Sequence, residues 1–184
     1  MEKQETPHKK RKLFKNFTKL YIVLLLFCIV FSPKFAFASP FQTKEKHYVN
    51  LQINNPFMTV DGVTMLIDAE KKVTPIYIDK WERVVIPISG VLRNMGAEIK
   101  WDAEEKKITI TKESMDISTI LQINNSKADV NNKSVLIDEE KPEITPIIHK
   151  ERAFVTVVFI SKVFKTKLEW SPNHEFVTLT WVEP

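Results

Sequence analysis

The stretch Leu51-Gln52-Ile53-Asn54-Asn55 recurs without change as Leu121-Gln122-Ile123-Asn124-Asn125. The residues after each copy also correspond. Val60-Asp61-Gly62 answers Val130-Asn131-Asn132, Met65-Leu66-Ile67-Asp68 answers Val135-Leu136-Ile137-Asp138, and Thr74-Pro75-Ile76 answers Thr145-Pro146-Ile147. The spacing is 70 residues at first, 71 at Thr-Pro-Ile, and 69 from Arg83 and Arg152 onward, which aligns Trp101 with Trp170. Slips this small belong in turns. Repetition at long period means that each unit carries an apolar face completed by a neighbour, and two copies are too few for a solenoid. The expected organisation is repeat 1 over residues 49–112 and repeat 2 over residues 119–182, packed on each other as one domain or as two in contact.

Within each unit the apolar pattern changes period. Val49, Leu51 and Ile53 alternate as on a half-buried strand. Asp61-Gly62 and Asn131-Asn132 are residue types that accept positive φ, and so predict tight hairpin turns. A charged loop follows, then a short apolar stretch such as Pro75 to Ile78, then Arg83 or Arg152. Ile88, Val91, Leu92 and Met95 fall at i, i+3, i+4 and i+7, one face of a short helix entered through Pro87. The second copy offers Val157, Ile160, Ser161 and Phe164 there. Strand alternation then returns through Ile99 and Trp101, or Leu168 and Trp170. The reading is α+β, a duplicated β-β-β-α-β-β unit whose antiparallel sheets each wrap around a short helix.

The first 38 residues read as an export signal. Six basic residues between Lys9 and Lys19 precede the apolar run Leu20 to Phe31, and Ala36-Phe37-Ala38 offers a cleavage site before Ser39. The run is shorter than the roughly 20 residues a membrane span needs. The expectation is therefore a secreted or envelope-associated protein with no stable membrane span after cleavage, the alternative being a retained N-terminal anchor. Residues 39–48 form a polar lead-in, and Lys112 to Asp116 is the joint between repeats. Of 27 basic and 23 acidic residues, the first 38 positions hold 8 and 2, leaving 19 against 21, a net charge of −2. That balance gives no support to nucleic-acid binding. The single cysteine, Cys28, lies in the apolar run, so disulfide and thiol chemistry play no part in the mature chain.

The string Arg83-Val84-Val85-Ile86-Pro87-Ile88, followed by Met95-Gly96-Ala97-Glu98-Ile99-Lys100-Trp101-Asp102 and Ile108-Thr109-Ile110, resembles the N-terminal, or stalk, domain of copper amine oxidases, a module found in exported bacterial proteins. The first copy departs from that pattern at Ser89. The second departs at Thr156, at Lys165-Thr166 and at Ser171. The resemblance spans about residues 49–182 and implies an α-plus-β module without the copper, redox cofactor or amine-oxidising residues, here without an oxidase domain.

No catalytic, cofactor or metal site is expected. His8, His47, His149 and His174 show no zinc or calcium-loop spacing. The acidic runs Glu104-Glu105 and Asp138-Glu139-Glu140 read as solvated faces rather than the separated carboxylates of a glycosidase. Three glycines provide no phosphate-cradling loop. Trp81, in a two-residue insertion of the first copy, and nearby Tyr77 form the candidate binding surface, against the alternative that Trp81 packs on the other half. Trp101 and Trp170 are expected as core anchors. Arg83 and Arg152 are expected to hold a carboxylate or carbonyls of the charged loop, and Gly62, Gly96 and Pro87 to be backbone choices. The function this pattern supports is a non-catalytic binding or spacer module at the cell envelope, taking wall polymer or an extracellular protein. The alternatives are a secreted inhibitor or accessory subunit acting on a protein and, less favoured, a polysaccharide-processing enzyme.

Overall fold

The Asn-Asn pair ending each repeated string works identically in both copies. Asn54 and Asn124 take positive φ, 60° and 64°. Asn55 and Asn125 donate their amides back to Gln52 and Gln122, and their side-chain oxygens accept the N–H of Phe57 and Lys127. The string is thus a strand end plus a turn, fixed by residues that tolerate left-handed backbone. The computed structural model describes residues 44–173 and 175–184. The expected export signal, residues 39–43 of the polar lead-in, and His174 lie outside the described residues.

The first copy runs β1 (Lys46–Gln52), β2 (Phe57–Val60), β3 (Val63–Leu66), β4 (Ile76–Ile78), β5 (Arg83–Pro87), α1 (Ile88–Asn94), β6 (Glu98–Asp102) and β7 (Lys107–Lys112). The second runs β8 (Ile117–Gln122), β9 (Lys127–Val130), β10 (Lys133–Leu136), β11 (Ile147–His149), β12 (Arg152–Thr156), α2 (Val157–Val163), β13 (Lys167–Ser171) and β14 (Phe176–Val182). The α+β class and the duplicated antiparallel unit stand, with a short hairpin, β4–β5 in the first copy and β11–β12 in the second, between each opening meander and its helix. Both hairpin turns have the paired positive φ of a tight turn: 47° and 85° at Asp61-Gly62, 50° and 62° at Asn131-Asn132. Among the described residues, no helix is long and apolar enough to cross a membrane.

Pairing across the copies sets the architecture. One five-stranded sheet is ordered β13-β14-β1-β2-β3, the other β10-β9-β8-β7-β6, and a four-stranded sheet β11-β12-β5-β4 lies at the centre of the order. Each outer sheet therefore takes three strands from one copy and two from the other. In the central sheet Val155 stands opposite Ile86, while Phe154 faces Pro87 and Thr156 faces Val85. Because Ile86 and Val155 are equivalent positions, a pseudo-twofold axis passes between β5 and β12. Each helix packs on both of these strands and on the nearer outer sheet, α1 against β6 and α2 against β13.

The helices bury the predicted faces. Ile88, Val91, Leu92 and Met95 are at most 1% exposed, and Val157, Ile160 and Phe164 are also buried. Each helix spans seven residues. Thr156, at the position of Pro87, caps α2 by accepting the N–H of Phe159 at 3.4 Å, a bond proline cannot offer. After α1, Gly96 takes φ 79°, and Lys165 takes φ 52° at the equivalent place. A side chain in that region is strained, so Lys165→Gly is expected to raise stability by up to about 1 kcal/mol in chemical denaturation. The joint between copies is anchored. Lys112 is 4% exposed, and its ammonium donates to the Met95 carbonyl and, at 2.6 Å, to Glu183.

Candidate functional site

The charged loop after β3 or β10 is folded by its own aspartate. The Asp68 carboxylate accepts the N–H groups of Glu70 and Lys71, and Asp138 accepts those of Glu140 and Lys141. Each aspartate then meets the arginine of the other copy. Arg83 donates to Asp138 at 2.7 Å and to Glu140 at 2.6 Å, and Arg152 donates to Asp68 at 2.6 Å and to Glu70 at 3.0 Å. Lys71–Glu151 and Lys141–Glu82 repeat the exchange further out. Burial works to raise the carboxyls of Asp68 and Asp138, but the facing guanidinium and the loop N–H groups outweigh it and hold both below the usual carboxylate range. Hydrogen bonds to Asp138 and Asp68 raise Arg83 and Arg152 in turn, against burial.

Beside each clamp lies a cleft, and the two clefts are equivalent under the pseudo-twofold. The first, about 810 Å³, is bounded by α1, by Leu66 to Glu70, by Ile99, Trp101 and Ile108 of the β6–β7 hairpin, and by Ile148 and Glu151 to Ala153 of the other copy. The second, about 420 Å³, has the matching walls: α2, Leu136 to Glu140, Leu168, Trp170 and Val177, with Tyr77 and Glu82 to Val84. Several equivalent positions on their walls differ, Gly90 in the first cleft standing where the buried Phe159 stands in the second.

Gly90 is required by a close approach. A Cβ there would lie 2.0 Å from the carbonyl oxygen of Ile67 and 2.9 Å from its carbonyl carbon. Gly90→Ala must push backbone aside, so a loss of about 1–3 kcal/mol is expected in thermal or denaturant melts.

Trp101 and Trp170 do not take the core positions expected of them, whereas Trp81 takes the packed alternative. Trp101 and Trp170 are 49% and 44% exposed and stand on cleft walls, not in the core. Strand alternation puts Trp101 on the face of Ile99, but a seven-residue helix is only roughly 10 Å long and leaves the strand's far end uncovered. Trp81 closes a 3-10 turn, Asp79–Trp81, is half-buried and packs against the core, and it lines neither cleft. Its place in an insertion suggested exposure, yet the insertion coils into a turn that returns the ring to the protein. Tyr77 is 45% exposed and belongs to the second, smaller cleft.

Other site residues have structural partners. His149 packs edge-on against Phe154 at 5.5 Å, and His47 stacks on Trp181 at 5.3 Å. Among the described residues, no group of three histidine, cysteine, aspartate or glutamate side chains is arranged to hold a metal ion. Asp138, Glu139 and Glu140 are engaged with Arg83 and Lys162 rather than facing one another across a cleft. Gly90, Arg93 and Ala69 were not singled out in the sequence. The signal was present as mismatches between the copies, Gly90 against Phe159 and Ala69 against Glu139.

A family model described as the copper amine oxidase N-terminal domain matches residues 69–179. A search of curated proteins found no match.

Proposed function

The chain belongs to the copper amine oxidase N-terminal domain family, and from that premise we propose that it is an exported, non-catalytic binding module of the cell envelope, whose first cleft takes wall polymer or an extracellular protein. One observation carries this reading. Of two clefts with the same origin, each with an exposed tryptophan on its wall, the first, which holds Trp101, is the roomier at about 810 Å³. Clefts of this size lined by apolar and aromatic groups with a few polar ones are the usual form of a binding site. An exposed tryptophan offers a flat apolar face at small entropic cost.

The test is co-sedimentation with isolated Gram-positive cell walls, untreated, stripped of protein, and stripped of secondary polymers. Retention is expected in at least one state. Trp101→Ala should weaken it by about tenfold or more, as for a central aromatic contact, with melting almost unchanged because the ring is half exposed. Loss only with the protein or only with the polymer names the class of ligand. No retention in any state, or retention indifferent to Trp101, would sink the reading.

A further inference from the structure

The first cleft differs from its copy in charge as well as in size. In the second, Lys162 is ion-paired with Glu139. Arg93 stands at the place of Lys162, but Ala69 stands at the place of Glu139. Among the described residues Arg93 has no carboxylate partner; it is exposed and donates only to the Ile99 carbonyl at 3.3 Å. The three carboxylates that line the cleft are engaged elsewhere, Asp68 and Glu70 with Arg152 and Glu151 with Lys71. The first cleft thus holds a cation without the counter-charge that its equivalent has in the second copy.

The walls add a second property. The first cleft takes residues from three sheet edges: Leu66 adjoins it from β3, Ile99 and Trp101 from β6, and Ile148 from β11. Edge strands present unpaired N–H and C=O groups, and natural proteins guard them with charge, proline or short length. The β3 edge, Val63-Thr64-Met65-Leu66, is four residues long and carries neither charge nor proline, whereas its equally short counterpart β10 begins with Lys133. Val63 is 61% exposed and Leu66 is 42% exposed.

Resting on the reading of the first cleft as the binding site, we propose that its ligand is an extended, acidic peptide segment of a protein partner. The segment adds to the free edge of β3, sets a carboxylate on Arg93 and lays a neighbouring apolar side chain against Trp101. Strand addition supplies main-chain hydrogen bonds and leaves specificity to pockets for alternate side chains. A guanidinium paired with a carboxylate supplies a charge-assisted, directional contact.

The probe is a pooled hexapeptide library with a fixed glutamate at the third position and random residues elsewhere, presented to the immobilised full chain beside a matched library with glutamine. Retention is expected to favour glutamate by about tenfold or more, in keeping with a charge-assisted contact. Arg93→Ala and Ala69→Glu, the latter restoring the counter-charge of the other half, should each abolish that preference with melting unchanged. Lys162→Ala should leave it intact. N-methylation of the retained peptides should remove binding by blocking the main-chain bonds. Equal retention of the two libraries, a preference that survives Arg93→Ala or falls with Lys162→Ala, or indifference to N-methylation would each overturn the proposal. Wall retention that depends on Trp101, with no peptide selected, would overturn the peptide ligand and leave the binding-module reading standing; absence of both would remove both.

Discussion

Arg83→Ala should destabilise the protein by about 3–5 kcal/mol, the cost of breaking a buried ion pair by removing one partner. The Asp138 side chain is 2% exposed and would be left with only the two loop N–H groups in place of the guanidinium that now meets it. Arg152→Ala should cost less, because Asp68 is 11% exposed and more open to water. Paired removal, Arg83→Ala with Asp138→Ala, should recover part of the loss, and denaturant melts of the four members of the cycle would show the coupling. A loss near zero for Arg83→Ala would mean that the clamp does not hold the copies together. The same clamps set a pH dependence. Asp68 and Asp138 have folded pKa values below their unfolded ones, so their stabilisation is complete above the ordinary carboxylate range and is lost as pH falls below it through the lowered folded values. Stability should therefore fall on acidification below about pH 4, and less steeply in a variant lacking both aspartates.

A fragment of residues 44–115 should have no folded monomer. Alone, β1 loses all seven of its register partners on β14, and β5 loses its pairing with β12. Arg83 also loses Asp138 and Glu140. Two copies of the fragment can nevertheless supply one another, because Asp68 and Glu70 are the counterparts of those carboxylates. The far-ultraviolet signal should thus depend on concentration, with sedimentation showing dimer where it is folded. A cooperative, concentration-independent melt of a monomer would contradict the shared sheets.

What was legible in the sequence was local. The positive-φ turn at Asp61-Gly62, the buried face Ile88-Val91-Leu92-Met95 and the joining of arginine to charged loop all follow from residue type and spacing. Spacing does not state which copy supplies a partner. The pattern of β1 is satisfied equally by any strand with an apolar face, and only the closed arrangement places β14 beside it. The tryptophans show a second limit. Period two assigns Trp101 a face but not what covers that face, and in the folded chain it stays half exposed. For Trp81 the reverse held, since a short insertion can project or coil, and here it coils against the core. What sets the first cleft apart from the second is a difference between corresponding positions, visible only when Gly90 and Ala69 are set beside Phe159 and Glu139.

Lys46 stands opposite Val182 in the antiparallel pair of β1 and β14. The backbone thus enters and leaves at neighbouring points, roughly 5 Å apart, one strand spacing. Any polypeptide continuing from both ends would gain almost no reach from this domain, which would hang beside the tether like a pendant instead of lengthening it like a rod. Tension on those ends would pull across the ladder and open its bonds one after another, as a zipper opens, so the domain is suited to carrying a binding face sideways and poorly suited to bearing load.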